Sequence, residues 1–351
     1  MTEGESIQAA IDNATYCETI NVGPGTYHEN LHITQSVHLH GNNSTIVALV
    51  HDIPAIYVSA VHMEIKGFEI TGSVKGIYTE CYGHAYISNN TIHNNTINID
   101  GKDVFDCWIN NNTIRDAESH GIYLRNTSDI CVFHNDVSRN GGYGGIIAYM
   151  CNDTSIYRNL IHDNVCRYGG ITIYSTTWCD VAENQEWNNT NGIHVRYSDH
   201  CLFFDNIFAS NGDSYNSHSN VWNIPFSYGP SIVGGTYAGG NYWSNYTGVD
   251  SDGNGVGDVP FQIPGSDEYD NYPITAPNCG DCDYNGYISA NDVVLAYRKA
   301  VDPTYHINYE WVIDVDGNNY ISANDVVEIY RRAVNPTYKL HCRIHTEGYT
   351  T

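Results

Sequence analysis

The chain has 351 residues, with 40 acidic side chains against 15 Lys and Arg and a formal charge of −25. That length accommodates one large domain and one small one. The charge makes nucleic acid and anionic membrane surfaces poor partners, since both demand a basic footprint. No apolar run reaches the roughly 18 residues a membrane helix needs.

Met1 runs straight into polar Thr2-Glu3-Gly4, so no signal peptide is expected in this sequence, and Met1 reads as an artificial start or the edge of a processed chain. Eleven cysteines and ten Asn-x-Ser/Thr sequons, at Asn13, Asn42, Asn43, Asn89, Asn94, Asn111, Asn126, Asn152, Asn188 and Asn245, predict an oxidising environment outside the cell or at its surface. An odd number of cysteines leaves at least one thiol free or joined to another molecule.

In chain order, Gly4 to Ile11 predicts a short helix with Ser6 as its N-cap, suited to plug the open end of a solenoid. From about residue 30 to 210 a drifting repeat follows. Asn90, Asn112, Asn135, Asn159, Asn184 and Asn206 recur at steps of 22, 23, 24, 25 and 22 residues, all but Asn184 two places before an aliphatic or aromatic residue. A second anchor keeps the same beat at Gly76, Asn98, Gly121, Gly145, Gly170 and Gly192, each followed by Ile. This period admits leucine-rich repeats or a parallel β-helix. Scarce leucine and apolar-polar alternation at period two select the all-β answer, a parallel β-helix solenoid of about 22–25 residues per coil. Such coils stack about 4.8 Å apart, with aliphatic residues inside and Asn side chains laddering at the turns. The Asn-Asn-Thr sequons at Asn89, Asn94, Asn111 and Asn188 then read first as turn chemistry.

The outward columns of this repeat hold Tyr78, Asp100, Tyr123, Ile147, Thr172 and His194, beside Glu80, Lys102, Arg125, Tyr149, Tyr174 and Arg196. Tyrosines among acids and guanidinium groups suit carbohydrate, with Tyr78, Tyr123, Tyr149 and Tyr174 as stacking rings. Asp100 with Glu80 could form a hydrolase carboxylate pair, and Arg125 or Arg196 a lyase base, although no compact motif of an epimerase, lyase or pectinase is present. A polar outer sheet face is the plainer reading. Cys107 with Cys131, and Cys179 with Cys201, differ by 24 and 22 residues, which predicts neighbouring coils and a possible disulfide in each pair, or simply small inward side chains. His28, His32, His38 and His40 form a histidine-rich patch, and alternation places His38 and His40 on one face where a transition metal could bind; surface strand histidines are the commoner case.

Beyond the coils, Asp250, Asp252, Asn254 and Asp258 alternate as calcium ligands do, with the Val256 carbonyl between them. Position 12 falls on Phe261, however, so this third loop is truncated. Nearer the end, Asp281-x-Asp283-x-Asn285-Gly286-Tyr287-x-Ser289-x-x-Asp292 returns 33 positions later as Asp314-x-Asp316-x-Asn318-Asn319-Tyr320-x-Ser322-x-x-Asp325. Positions 1, 3, 5, 7, 9 and 12 are those that wrap a hard cation, and each loop opens an apolar-periodic helix. Two calcium ions are therefore expected there, and a third near Asp250–Asp258. Cys282 and Cys342 bracket the module and suggest a clasp.

The duplicated loop-helix unit resembles a dockerin over roughly residues 277 to 342. The resemblance implies a cohesin-bearing partner, or another copy of the chain, contacted through Ala290, Asn291, Arg298, Lys299, Ala323, Asn324, Arg331 and Arg332. Residues 4 to 275 resemble the NosD-like parallel β-helix proteins of archaeal and bacterial surfaces, which implies a right-handed parallel β-helix. The resemblance is carried by Gly4-Glu5-Ser6-Ile7-Gln8-Ala9-Ala10-Ile11, by Val22-Gly23-Pro24-Gly25-Thr26-Tyr27 and by the closing Gly240-Asn241-Tyr242-Trp243-Ser244 and Asp270-Asn271-Tyr272-Pro273-Ile274. No Met-rich motif supports copper delivery. The domains expected are a β-helix over 1–276, the calcium module over 277–342 and a tail over 343–351. The expected function is a structural, adhesive or carbohydrate-binding surface protein attached through its calcium module. A polysaccharide-degrading enzyme tethered by that module and a self-assembling sheath subunit are the alternatives.

Overall fold

The computed structural model describes residues 4–340 except 81, 210–218, 230, 234–236, 253, 276–278, 284–287, 306, 308–309, 317, 319, 336 and 339. The chain forms two compact units, residues 1–224 with 240–245 and 261–271, and residues 225–239 with 246–260 and 272–351.

The first unit is a parallel β-helix that starts with helix α1 (Ile7–Asn13). Ser6 caps it, accepting from Ala9 N, while the Glu29 carboxylate accepts from Ile7 N, Gln8 N and the Ser6 hydroxyl. Ile7 and Ile11 are buried, closing the apolar end. A typical coil then contributes three short strands, as in Phe105–Asn110, Thr113–Arg115 and His120–Arg125, while Val37–Val47 and Met63–Thr71 each run as one long strand in place of two. One parallel sheet holds eight of these, from Leu31–Ile33 to Ile193–Arg196. Within it Ile56, Ile77, Ile99, Ile122, Ile146, Ile171 and Ile193 stand in register and buried. The glycine anchor beside this column is steric. A Cβ on Gly76, Gly121 or Gly145 would lie 2.7, 2.6 or 2.8 Å from the carbonyl oxygen of the next coil.

Corners are made by left-handed residues stacked in columns, such as Asn89, Asn111, His134, Arg158, Glu183 and Asp205, with φ between 52° and 54°. Asn and Asp tolerate this region best after Gly. The residue after each one turns inward and builds the ladder. Asn90, Asn112, Asn135, Asn159, Asn184 and Asn206 are buried, and each donates its backbone N–H and side-chain amide to the next Asn Oδ1, ending on Asn241. Asn241 N donates in turn to the buried Asp270 carboxylate at 2.7 Å. In Asn-Asn-Thr, therefore, the first Asn is the corner and the second the ladder. Asn89, Asn94, Asn111 and Asn188 have φ between 51° and 54° and are exposed, so turn geometry and an accessible side chain coexist. Asn13, Asn42, Asn43, Asn126 and Asn245 are exposed as well, and Asn152 is half-buried. Glu186 occupies the inward column of Ile114, Val137 and Ile161, fully buried, where it accepts from the Asn189 amide at 2.7 Å.

The cysteine pairing is corrected by register. Cys107 lies opposite Ile130 and Trp108 opposite Cys131, so Cys107 points into the bore and Cys131 outward. Cys179 and Cys201 do stack, between the pairings Thr177 to Asp199 and Asp180 to Leu202, yet both are free, buried thiols. Stacked positions about 4.8 Å apart exceed the Cβ separation of about 3.8 Å that a disulfide prefers, and a hydrogen bond with Cys201, then burial, pushes the Cys179 thiol up. Cys282 is also a free buried thiol, packed in the core of the second unit, while Cys279 is disulfide-bonded. Cys342 lies outside the described residues.

In the second unit α2 (Ala290–Val301), α3 (Glu310–Ile313) and α4 (Ala323–Val334) surround a small core of Cys282, Ala296, Ile313, Val315 and Ile329. Both long helices begin with a capping box, Ser289 with Asp292 and Ser322 with Asp325.

Candidate functional site

The described residues of the duplicated acidic loops share one bonding pattern. One carboxylate oxygen from each of Asp281, Asp283 and Asp292 lies within 4.8 Å of the others, and so do those of Asp314, Asp316 and Asp325. Asp292 accepts from Cys282 N at 2.7 Å and Asp283 N at 3.1 Å through one oxygen, and from Ser289 N at 2.7 Å through the other. Asp325 repeats the set with Val315 N, Asp316 N and Ser322 N at 3.0, 3.4 and 2.8 Å. The position-12 aspartate therefore ties the loop to the helix that follows. Burial, then the charges of Asp325 and Asp314, push the Asp316 carboxyl up, as expected where like charges converge on a place for a cation. Asn285 and Tyr287 lie outside the described residues. The oxygen-rich donor set fits calcium, which these residues would hold with Asn318, Tyr320, Ser289 and Ser322 completing the loops.

The loop near Asp250 shares this geometry in its first half. Asn254 N donates to Asp250 at 3.1 Å and Asp252 at 3.2 Å, and Val256 N to Asn254 Oδ1 at 2.8 Å. In the second acidic loop Asn318 N donates to Asp314 at 3.0 Å and Asp316 at 3.2 Å, and Tyr320 N to Asn318 Oδ1 at 2.8 Å. The loops differ in closure, because Asp258 turns back to Ser251 N instead of converging with Asp250 and Asp252.

Of the residues expected to face a partner, Ala290, Asn291, Arg298, Ala323, Asn324 and Arg331 are exposed and Arg332 is half-buried. Lys299 is corrected: it is buried, and its ammonium donates to Pro303 O at 2.7 Å near the end of α2. Sequence reasoning missed an apolar stripe. Val294, Tyr297 and Val301 are exposed on α2, and Val327, Tyr330 and Val334 on α4, each residue 33 positions from its counterpart. Their i, i+3, i+7 spacing was the available signal.

On the β-helix the outward columns stack as the repeat requires, with Tyr57, Tyr78, Asp100 and Tyr123 in register. Asp100 is fully buried, 2.7 Å from Lys75 Nζ and bound by Arg125 through two nitrogens at 2.7 and 3.1 Å. Burial opposes the Arg125 charge most, but the hydrogen bond to Asp100 and the Asp100 charge together with neighbouring tyrosines outweigh it, and the guanidinium is held above its ordinary range. Glu80 accepts from the hydroxyls of Tyr78 and Tyr57 and from Lys102, and the Tyr78 bond holds its carboxyl low. Tyr149 and Tyr174 stack with centroids 5.3 Å apart. Arg196 is exposed, 2.9 Å from the Tyr197 hydroxyl. The structure thus brings the acids and bases of this face together as partners of one another.

Residues 54–211 match the family described as "Right handed beta helix region". A cell surface glycoprotein of Methanothermus fervidus (strain ATCC 43054 / DSM 2088 / JCM 10308 / V24 S) is 27% identical over 336 residues, covering 76% of this chain and 54% of that protein, so the chain spans about half of its relative. Among solved structures, pectate lyase Pel9A is 13% identical with a TM-score of 0.48, covering 61% of this chain and 74% of that chain. An alginate lyase from Paenibacillus sp. str. FPU-7 is 14% identical with a TM-score of 0.41, covering 61% and 91%.

Proposed function

We propose that this chain is an extracellular surface protein whose β-helix offers an adhesive, carbohydrate-contacting face and whose C-terminal unit is a calcium-loaded docking module of the dockerin type. The observation that carries the docking reading is duplication at every level: two aspartate triads with one bonding pattern, two capped helices and two exposed Val-Tyr-Val stripes. A surface with such internal symmetry can seat one partner in either of two orientations. Likeness to a cell surface glycoprotein supports the location. The pairing of Asp100, Arg125 and Glu80 with neighbours favours binding over chemistry on the tyrosine face, since a general base must be free to take a proton. Consumption of the cations favours neutral over anionic glycan, because an acidic polymer would compete with Asp100 for Arg125.

Docking is tested by surface binding of the calcium-loaded chain to a cohesin panel and to itself. Tyr297→Ala and Tyr330→Ala alone should each leave binding within about threefold, while the double variant should lose it. Full binding by the double variant would refute the two-face reading. The glycan reading is tested by screening neutral and acidic polysaccharides for retention and product release together. Release of unsaturated or reducing ends would overturn it in favour of an enzyme.

A further inference from the structure

The histidine patch, two of whose members alternate onto one face in the sequence, gains a carboxylate and loses His32 in the structure. His32 belongs to the eight-stranded sheet and stacks on Tyr57 at 4.7 Å. His38 and His40 lie on Val37–Val47, which pairs in parallel with Met63–Thr71 so that His38 stands beside Glu64 and His40 beside Lys66. One donor atom from each of His38, His40 and Glu64 lies within 4.8 Å of the other two. Glu64 divides its oxygens: Oε2 is 2.6 Å from His40 Nε2 and 4.0 Å from His38 Nδ1, and Oε1 is 3.0 Å from Lys66 Nζ. Two further histidines arrive from neighbouring coils, His62 and His84, left-handed corner residues whose rings stack at 4.8 Å. With His38, Glu64 and Cys17 they line a cleft of about 420 Å³.

We propose that His38, His40 and Glu64 bind a borderline divalent transition ion of the zinc type, distinct from the calcium loops. Imidazole donors select such ions over calcium, and two histidines with one carboxylate form a three-ligand set that leaves the fourth tetrahedral place open. Ligands at about 2.0–2.1 Å from a tetrahedral centre sit roughly 3.4 Å apart, a value between the shortest separation in the cluster and the 4.8 Å limit. The His38 side chain is 39% exposed and those of His40 and Glu64 are each 23% exposed, which leaves them room to turn toward a shared ion. Lys66, on the far oxygen, orients the carboxylate as an outer partner. His38 and Glu64 both line the cleft, so water or a donor from a docked molecule could reach the ion there.

The test is titration of the full chain, held in excess calcium, with cobalt(II) followed by visible absorption and with zinc(II) by calorimetry. One tight equivalent is expected, with a tetrahedral cobalt spectrum. His38→Ala with His40→Ala should weaken it more than about 100-fold, beyond the loss that outer-shell changes cause, and Glu64→Gln should weaken it with the fold unperturbed by circular dichroism. Absence of a tight equivalent, or one that survives both the double variant and Glu64→Gln, would overturn the assignment.

Discussion

Removal of calcium should unfold the C-terminal module of residues 277–342 and spare the β-helix. In each acidic loop three carboxylate oxygens lie within 4.8 Å of one another. Two unit charges at that separation repel by about 3.5 kcal/mol at an effective dielectric constant of about 20. A module of some 65 residues has a total stability of roughly 3–10 kcal/mol, so one uncompensated pair per loop consumes much of it. Bound calcium reverses the balance, adding about 4 kcal/mol per site when free ion exceeds its dissociation constant a thousandfold. Differential scanning calorimetry of the intact chain should show two transitions in millimolar calcium. With EGTA one should fall by tens of degrees or vanish, and readded calcium should restore it. Asp292→Ala combined with Asp325→Ala should mimic chelation, because each aspartate also holds the capping box and two loop amides. Joint loss of both transitions on chelation, or an unmoved thermogram, would refute the reasoning.

Asn135→Ala should cost roughly 3–6 kcal/mol in urea unfolding. Its amide bonds Ile109 O, Phe133 O and Asn159 while accepting from Asn112 N, and each orphaned group costs about 1–3 kcal/mol; a change below about 1 kcal/mol would contradict the ladder. Asp100→Asn should cost on the order of 3 kcal/mol through the unneutralised Lys75 and Arg125, measured by the same unfolding curves, and Lys75→Met in that background should recover part of it. His162 gives a pH dependence: burial lowers its pKa, but bonds to Asp136 and Asp163 prevail and raise it. Its stabilisation is therefore complete below the ordinary imidazole value of about 6.5 and lost as pH rises through the folded value. NMR titration should place the His162 midpoint above 6.5, and Asp136→Asn with Asp163→Asn should bring it down; a wild-type midpoint at or below 6.5 would sink the claim.

The β-helix was legible because two independent anchors drift together, which only stacked coils of similar length explain. The outward columns followed from the same count, and Tyr78, Asp100 and Tyr123 do stand in register. What period alone does not reveal is the identity of each corner. The left-handed residue and the ladder residue are adjacent Asn in the same triplet, and only the backbone separates Asn89 from Asn90. A coil length that drifts between 22 and 25 also hides single-residue offsets, which is why Cys107 and Cys131 share a period but not a face. The histidine cluster was half visible. His38 and His40 alternate locally, whereas Glu64, His62 and His84 join them only through stacking at distances the patch did not span. Burial of Lys299 depends on the turn at Pro303, which helix periodicity does not encode.

The disposition of charge accords with the proposed cation-dependent docking, because the β-helix spends its own cations internally. Among the described residues of the β-helix, Lys66, Lys75, Lys102, Arg115, Arg125, Arg139 and Arg158 all sit in ion pairs. Several of these tie one coil to the next, as Arg139 does with Asp116 and Arg158 with Glu183. Arg167 and Arg196 lie over the rings of Tyr168 and Tyr197. A groove built to hold an acidic polymer keeps unspent guanidinium and ammonium groups pointing at it, and here they are committed to the solenoid's own acids and rings. The surplus of acid is left over, and part of it is concentrated in the paired loops, where carboxylates converge instead of spreading apart. Convergence of like charge is unfavourable unless a cation resolves it, so the proposed calcium loading of the C-terminal unit would offset locally the same excess of acid that gives the chain −25 and weakens binding to anions.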